Sequence, residues 1–143
     1  MKPVWLAVLA TSCLAAGHAL AESPGASLQP PNCPVAREIR QHHLLGLWRA
    51  SFEGPGSRET LLLEQHPELA DSVRGAIHRG GERALVAGDV DDGEFTLEES
   101  VDGVRISATW SGSVIDGSCG REIRGDWQGA TGSAARRFVL KKD

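Results

Sequence analysis

From Leu44 to Lys141 the chain alternates apolar and polar residues with a period of two, and Gly, Asp or Pro interrupts the pattern at short intervals. Period two is the signature of strands with one face in and one face out, because successive side chains point to opposite sides of a pleat. Eight strands are predicted on this basis. They are Leu44–Phe52, Thr60–His66, Ser72–His78, Arg83–Val90, Glu94–Ser100, Val104–Ile115, Gly120–Gln128 and Arg136–Lys141. The breaks between them carry turn chemistry, for example Glu53-Gly54-Pro55-Gly56, His66-Pro67-Glu68, Gly80-Gly81, Asp91-Asp92-Gly93, Asp102-Gly103 and Asp116-Gly117. No long segment holds a helical period. Val35–His43 reads as a short helical turn leading into the strands.

Eight consecutive strands joined by tight turns predict an antiparallel up-and-down meander, and eight is a number at which such a sheet closes on itself and loses its edges. The fold class is therefore all-β, a small closed barrel. One predicted face carries Gly46, Trp48, Ala50 and Phe52, then Val73, Gly75 and Ile77, then Phe95 and Leu97. It continues with Val104, Ile106, Ala108, Trp110 and Gly112, with Ile123, Gly125 and Trp127, and with Phe138 and Leu140. The opposite face is mostly charged or hydroxylated. Glu99 and Arg121 fall on the inner side and are expected either to meet or to lie near the rim, since an unpaired buried charge is costly.

The segment before the strands reads differently. Lys2 and the apolar run Val4–Ala16, ended by Ala19-Leu20-Ala21, have the anatomy of a signal peptide over residues 1–21. The run is too short for a membrane span, and no later stretch reaches that length. Residues 22–43 are expected to form a flexible arm rich in Pro, Ser and Gly up to Cys33, leaving residues 44–143 as the barrel domain. Localisation is then periplasmic or extracellular. Removing the signal leaves two cysteines, Cys33 and Cys119, which an oxidising compartment pairs. In a meander the start of the first strand and the turn between strands six and seven lie at the same end, so a Cys33–Cys119 bond closes that end.

Leu45-Gly46-Leu47-Trp48 places a Gly-x-Trp at the opening of an eight-strand meander. This resembles the calycin superfamily of lipocalins, avidins and small bacterial metalloprotease inhibitors. The resemblance covers Leu44 to Lys141 at the level of fold. It implies that Trp48 packs across one end of the barrel, with Gly46 making room for it. It also implies either a small apolar ligand or, as in the inhibitors with their export, single disulfide and N-terminal arm, a protein partner.

Charge narrows the partners. The formal net charge is −4, and it becomes more negative once Lys2 is removed. That argues against nucleic acid, which calls for a basic face. The sequence carries no nucleophile elbow, no His-Glu-x-x-His and no phosphate loop. Glu98 and Glu99 are neighbours on a strand and point to opposite faces. The expectation is a protein that is not an enzyme and has no catalytic residues, no metal and no cofactor. Asp89–Glu94 packs four carboxylates around a turn, which suggests calcium but reads more simply as an Asp-Gly hairpin. His42, His43 and His66 read as surface residues rather than as a metal set.

Trp48, Trp110 and Trp127 on the inner face are the candidate ligand-contacting aromatics. Four connections fall at the end opposite the disulfide, and Glu53–Glu59 and Gln128–Ala135 are the longest and richest in glycine. Recognition is expected at that end, around Trp127, Arg58 and Arg136. The function expected is an exported binding module for a small apolar ligand. The alternative is a protein-interaction module such as a protease inhibitor.

Overall fold

A computed structural model describes residues 32–56 and 58–143 of the 143-residue chain. The predicted signal peptide and residues 22–31 of the arm lie outside the described residues. After a 3-10 turn (Ala36–Glu38) and a one-turn helix, α1 (Gln41–Leu44), come eight strands: β1 (Gly46–Phe52), β2 (Glu59–Gln65), β3 (Ser72–Arg79), β4 (Glu82–Asp91), β5 (Glu94–Ser100), β6 (Ala108–Val114), β7 (Glu122–Gly129) and β8 (Arg136–Lys142). They form a closed antiparallel barrel in meander order, and β8 returns to β1 with Ala50 opposite Leu140. Full closure satisfies both margins of every strand and leaves no sheet edge.

The alternation places the core as the pattern predicts. Trp48, Ala50, Leu61, Leu63, Val73, Ile77, Phe95, Leu97, Trp110, Ile123, Phe138 and Leu140 are all buried in the lumen. Inward glycines sit where strands pass closest. A Cβ on Gly75 would stand 1.8 Å from the Leu62 carbonyl oxygen, and one on Gly125 2.0 Å from that of Ser111. These small residues permit tight coiling of the wall.

One end, here the lower, is closed by the segment that precedes β1. Ile39 and Leu44 are fully buried, and the Trp48 indole N–H donates to the Leu44 carbonyl at 2.7 Å. Gly46 takes φ +121°, a conformation an L side chain rarely adopts, which accounts for the glycine of Gly-x-Trp. The Cys33–Cys119 disulfide joins this segment to the β6–β7 turn, with Cα atoms 4.6 Å apart in space and the cysteines 86 positions apart in sequence. The Ala36 N–H donates to Asp116 in the same turn.

Two expectations need correction. β6 begins at Ala108, not Val104, so Val104 and Ile106 are not in the core but lie exposed on a connection spanning residues 101–107. Asp102 organises that connection. Its carboxylate accepts the N–H groups of Val104 and Arg105 at 2.9 and 2.8 Å, and these bonds hold its pKa down at about 2. The backbone there bonds to a side chain rather than to a neighbouring strand, so the ladder waits until Ser107 donates to the Glu99 carbonyl. Second, of the two alternatives for Glu99 and Arg121 the pairing fails and the rim holds: Glu99, which is buried, and Arg121 lie near opposite ends. β5 ends at the upper mouth and β7 starts at the lower end, so the length of the barrel separates the two. Arg121 is exposed and donates to the Lys142 carbonyl.

Candidate functional site

The upper end of the lumen is sealed by a polar cluster that the barrel register assembles from strand termini. Arg79 ends β3, Glu59 opens β2 and Glu99 lies one residue before the end of β5. All three continue the inward parity of their strands. Arg79 donates from Nε to Glu59 Oε1 at 2.7 Å, from Nη1 to Glu99 Oε1 at 2.8 Å and from Nη2 to Glu99 Oε2 at 3.3 Å. Glu99 Oε2 also accepts the indole N–H groups of Trp110 and Trp127, at 3.2 and 3.3 Å. Burial by itself would push the Glu99 carboxyl up, but the Arg79 guanidinium and the two indoles outweigh it and hold the group below its ordinary value. Burial likewise opposes the charge on Arg79, and the two carboxylates overcome it, raising its pKa. Glu59 Oε2 is buried and has no hydrogen-bond partner among the described residues.

Aromatic rings surround this cluster. The ring of Phe52 lies 5.4 Å from that of Trp110 and 6.3 Å from that of Trp127, and Trp110 meets Phe138 edge to face at 4.8 Å. The Arg79 guanidinium stands 5.7 Å from the Trp127 ring centroid, and the Arg136 guanidinium 4.4 Å from that of Phe52. Two cations lying against aromatic faces are an attractive arrangement, because the ring quadrupole presents negative charge there. The Arg79 side chain remains 32% exposed, while Glu59 and Glu99 behind it are covered. The mouth therefore shows solvent the outer side of a guanidinium that buried carboxylates hold from within.

The residues expected to form the site divide. Trp110, Trp127 and Arg136 meet at the mouth, although Trp110 is fully buried while Trp127 and Arg136 are half-buried. Arg58 is exposed on the connection leading into β2. Trp48 belongs to the opposite end, beneath α1 and 5.9 Å from Lys142 Nζ. Arg79 and Glu59 are the mouth residues the sequence reading missed, and Phe52, which it placed inside, was not counted among the site residues. Counting in twos from Ile77 and Leu61 puts Arg79 and Glu59 inside, and that count is the signal that finds them.

The histidines and the acidic turn have local duties. His43 Nδ1 accepts the Arg40 N–H at 3.0 Å, and His66 Nδ1 accepts the N–H groups of Glu68 and Leu69 in the β2–β3 connection. Asp89 accepts the Thr96 hydroxyl across the β4–β5 pair, and Asp92 and Gly93 take the positive φ values of a two-residue hairpin turn. Among the described residues no three His, Cys, Asp or Glu side chains are grouped to hold a metal, and no helix is long and apolar enough to cross a membrane.

A second feature lies outside the barrel. A groove of about 620 Å³ runs over the outer face of β2–β5 beneath the 101–107 connection. Leu62, Ala76 and Leu85 stand side by side across three strands, and Val104 and Ile106 overhang them.

A scan against protein-family models finds no match, and no curated protein matches the chain. The architecture, eight antiparallel strands closed in meander order, is consistent with a calycin-like barrel.

Proposed function

We propose that this chain is an exported, non-enzymatic calycin-like barrel that recognises a protein partner at its upper mouth. One observation carries the reading. Phe52 and Trp127, both half-buried, share that end with Arg79 and Arg136, and buried Glu59 and Glu99 fix Arg79 in place. Aromatic and arginine side chains dominate binding hot spots, and a group already held in position loses little entropy on binding. The lumen below is occupied by Trp110, Phe138 and Phe95, which leaves recognition to the surface. The disulfide suits an oxidising compartment. Inhibition of a protease is the most concrete form of this reading.

The test places a photoreactive side chain at Arg58 in cells exporting the protein. A single protein adduct is expected. Trp127→Ala or Arg136→Ala should weaken its capture roughly thirtyfold, the scale of a hot-spot residue; Arg136→Ala should leave melting nearly unchanged, whereas Trp127→Ala, which also removes an indole bonded to Glu99, should lower it. If deletion of residues 22–29 abolishes the adduct while the mouth variants leave it intact, the arm is the active element and the mouth reading fails. The outer groove favours a second reading, a small apolar ligand, because its volume falls within the range of small-molecule sites. Native mass spectrometry of protein taken directly from the exporting cells distinguishes that case by a bound mass.

A further inference from the structure

Two arginines have inward parity at the mouth, and the fold treats them differently. Arg79 is clasped by Glu59 and Glu99. Arg136 opens β8 with the parity of Phe138 and Leu140, is half-buried, and enters no ion pair among the described residues. It stands opposite Trp127 in the β7–β8 register, and its guanidinium lies over the Phe52 ring, 4.4 Å from the centroid. Resting on a ring engages the charge of a guanidinium and leaves its in-plane N–H donors to other partners. Water screens a half-buried cation less than an open one, so an anion brought to it is held more strongly.

The surroundings of Arg136 are short of acid. Residues 128–139 contain no carboxylate, and the 53–58 connection contains only Glu53, which is exposed. Glu82, also exposed, pairs in register with Arg79 and belongs to that side of the mouth. Arg58 adds a second cation on the connection that reaches Arg136. That connection arrives without a side chain. A Cβ on Gly56 would stand 3.6 Å from Arg136 Nη2, an ordinary contact distance. Next to this unmatched fork, Trp127 and Phe52 offer an apolar surface, their ring centroids 6.3 Å apart.

We propose that the mouth selects a carboxylate carried beside an apolar side chain, with the carboxylate on Arg136 and the apolar group on Trp127. The proposal rests on the mouth being the recognition surface and adds the chemistry of what it takes. The planar fork of an arginine matches a carboxylate in bidentate fashion. Arg79, already balanced by two carboxylates, backs the Trp127 ring at 5.7 Å and leaves the anion to Arg136.

The indole N–H resonances of the exported protein test this directly. Trp127 reports on the mouth, and Trp48, bonded to Leu44 at the lower end, is the internal control. N-acetylphenylalanine at neutral pH should shift the Trp127 signal saturably with a Kd of about 1–5 mM, the range of a fragment, and leave Trp48 in place. Its amide should bind at least tenfold more weakly. Arg136→Gln should erase the difference between acid and amide. Gly56→Asp sets a carboxylate of the chain's own beside Arg136 and should compete at least tenfold, whereas Gly56→Asn, of similar size, should not. Amidated N-acetyl-Phe-Asp carries the carboxylate on a side chain, and the tighter of the two acids identifies the source as a chain terminus or an acidic residue.

Equal response to acid and amide overturns the proposal, as does no response to either. An unaltered response in Gly56→Asp and Arg136→Gln removes Arg136 as the receptor. The photo-adduct at Arg58 judges the mouth reading separately. An adduct lost in Trp127→Ala but kept in Arg136→Gln and Gly56→Asp retains the mouth and rejects the carboxylate. An adduct lost only on deletion of residues 22–29 rejects the mouth itself.

Discussion

Glu99 shows how much one side chain depends on its surroundings. It is buried, it accepts four hydrogen bonds, and it shares Arg79 with Glu59. Replacing it by Gln removes the charge opposite Arg79 while keeping its shape. Breaking a buried pair costs about 3–5 kcal/mol, but Arg79 is a third exposed, so water screens part of that and about 1–3 kcal/mol is expected. Chemical denaturation measures the loss, and tryptophan emission reports it, since Trp110 and Trp127 both donate to this carboxylate. The same group sets an acid limit. Its folded pKa lies below the ordinary 4.5, so between the two values the unfolded chain binds a proton that the folded one does not. Its contribution is complete above the unfolded value and drains as pH falls through the folded one. Stability measured down a pH series should fall below about pH 4.5 in the wild type, and less steeply in Glu99→Gln. An identical slope in the two proteins would remove Glu99 as the cause.

Among the elements, β3 and β7 carry inward glycines that no other residue replaces cheaply. Gly125→Ala sets a methyl group against the Ser111 carbonyl and the Gly112 Cα at 2.0 and 2.4 Å, both of them backbone, so the strand itself must move. Forced insertion of this kind typically costs about 1–3 kcal/mol, and a rigid closed wall puts Gly125→Ala at the upper end. Solvent-facing Ser113→Ala, next to Gly112 on the paired strand, should change little. Thermal melting of the two variants checks the contrast. The period-two pattern placed β5 on its observed bounds and the other strands within a few residues. It failed at β6 because Val104 and Ile106 keep the correct parity without the backbone bonds of a strand. Periodicity reports which way a residue would point. It does not report whether Asp102 has already captured the N–H groups that a ladder needs.

At the scale of the molecule, the disulfide and the segment before β1 form one closure. Reducing the bond, or replacing both cysteines by Ser, frees a loop spanning 86 positions and should cost about 2–4 kcal/mol, with the barrel still formed. Melting with and without reductant checks this, and an unchanged midpoint would mean that the hydrogen bonds and buried side chains of residues 36–44 hold the lower end unaided. What the sequence determined by itself was everything governed by nearest neighbours along the chain, strand parity, turn positions and meander order, together with the pairing of Cys33 with Cys119, the two cysteines left after the signal, which that order is consistent with. Only the tertiary structure decided which inward charges meet. Glu99 and Arg121 share a parity but stand at opposite ends, whereas Glu59, Arg79 and Glu99 come from strands that finish or begin at one mouth. It also decided that the apolar residues of the 101–107 connection lie outside, over Leu85, and not in the lumen. Both outcomes turn on distance along and around the barrel, which a period of two along the chain does not encode.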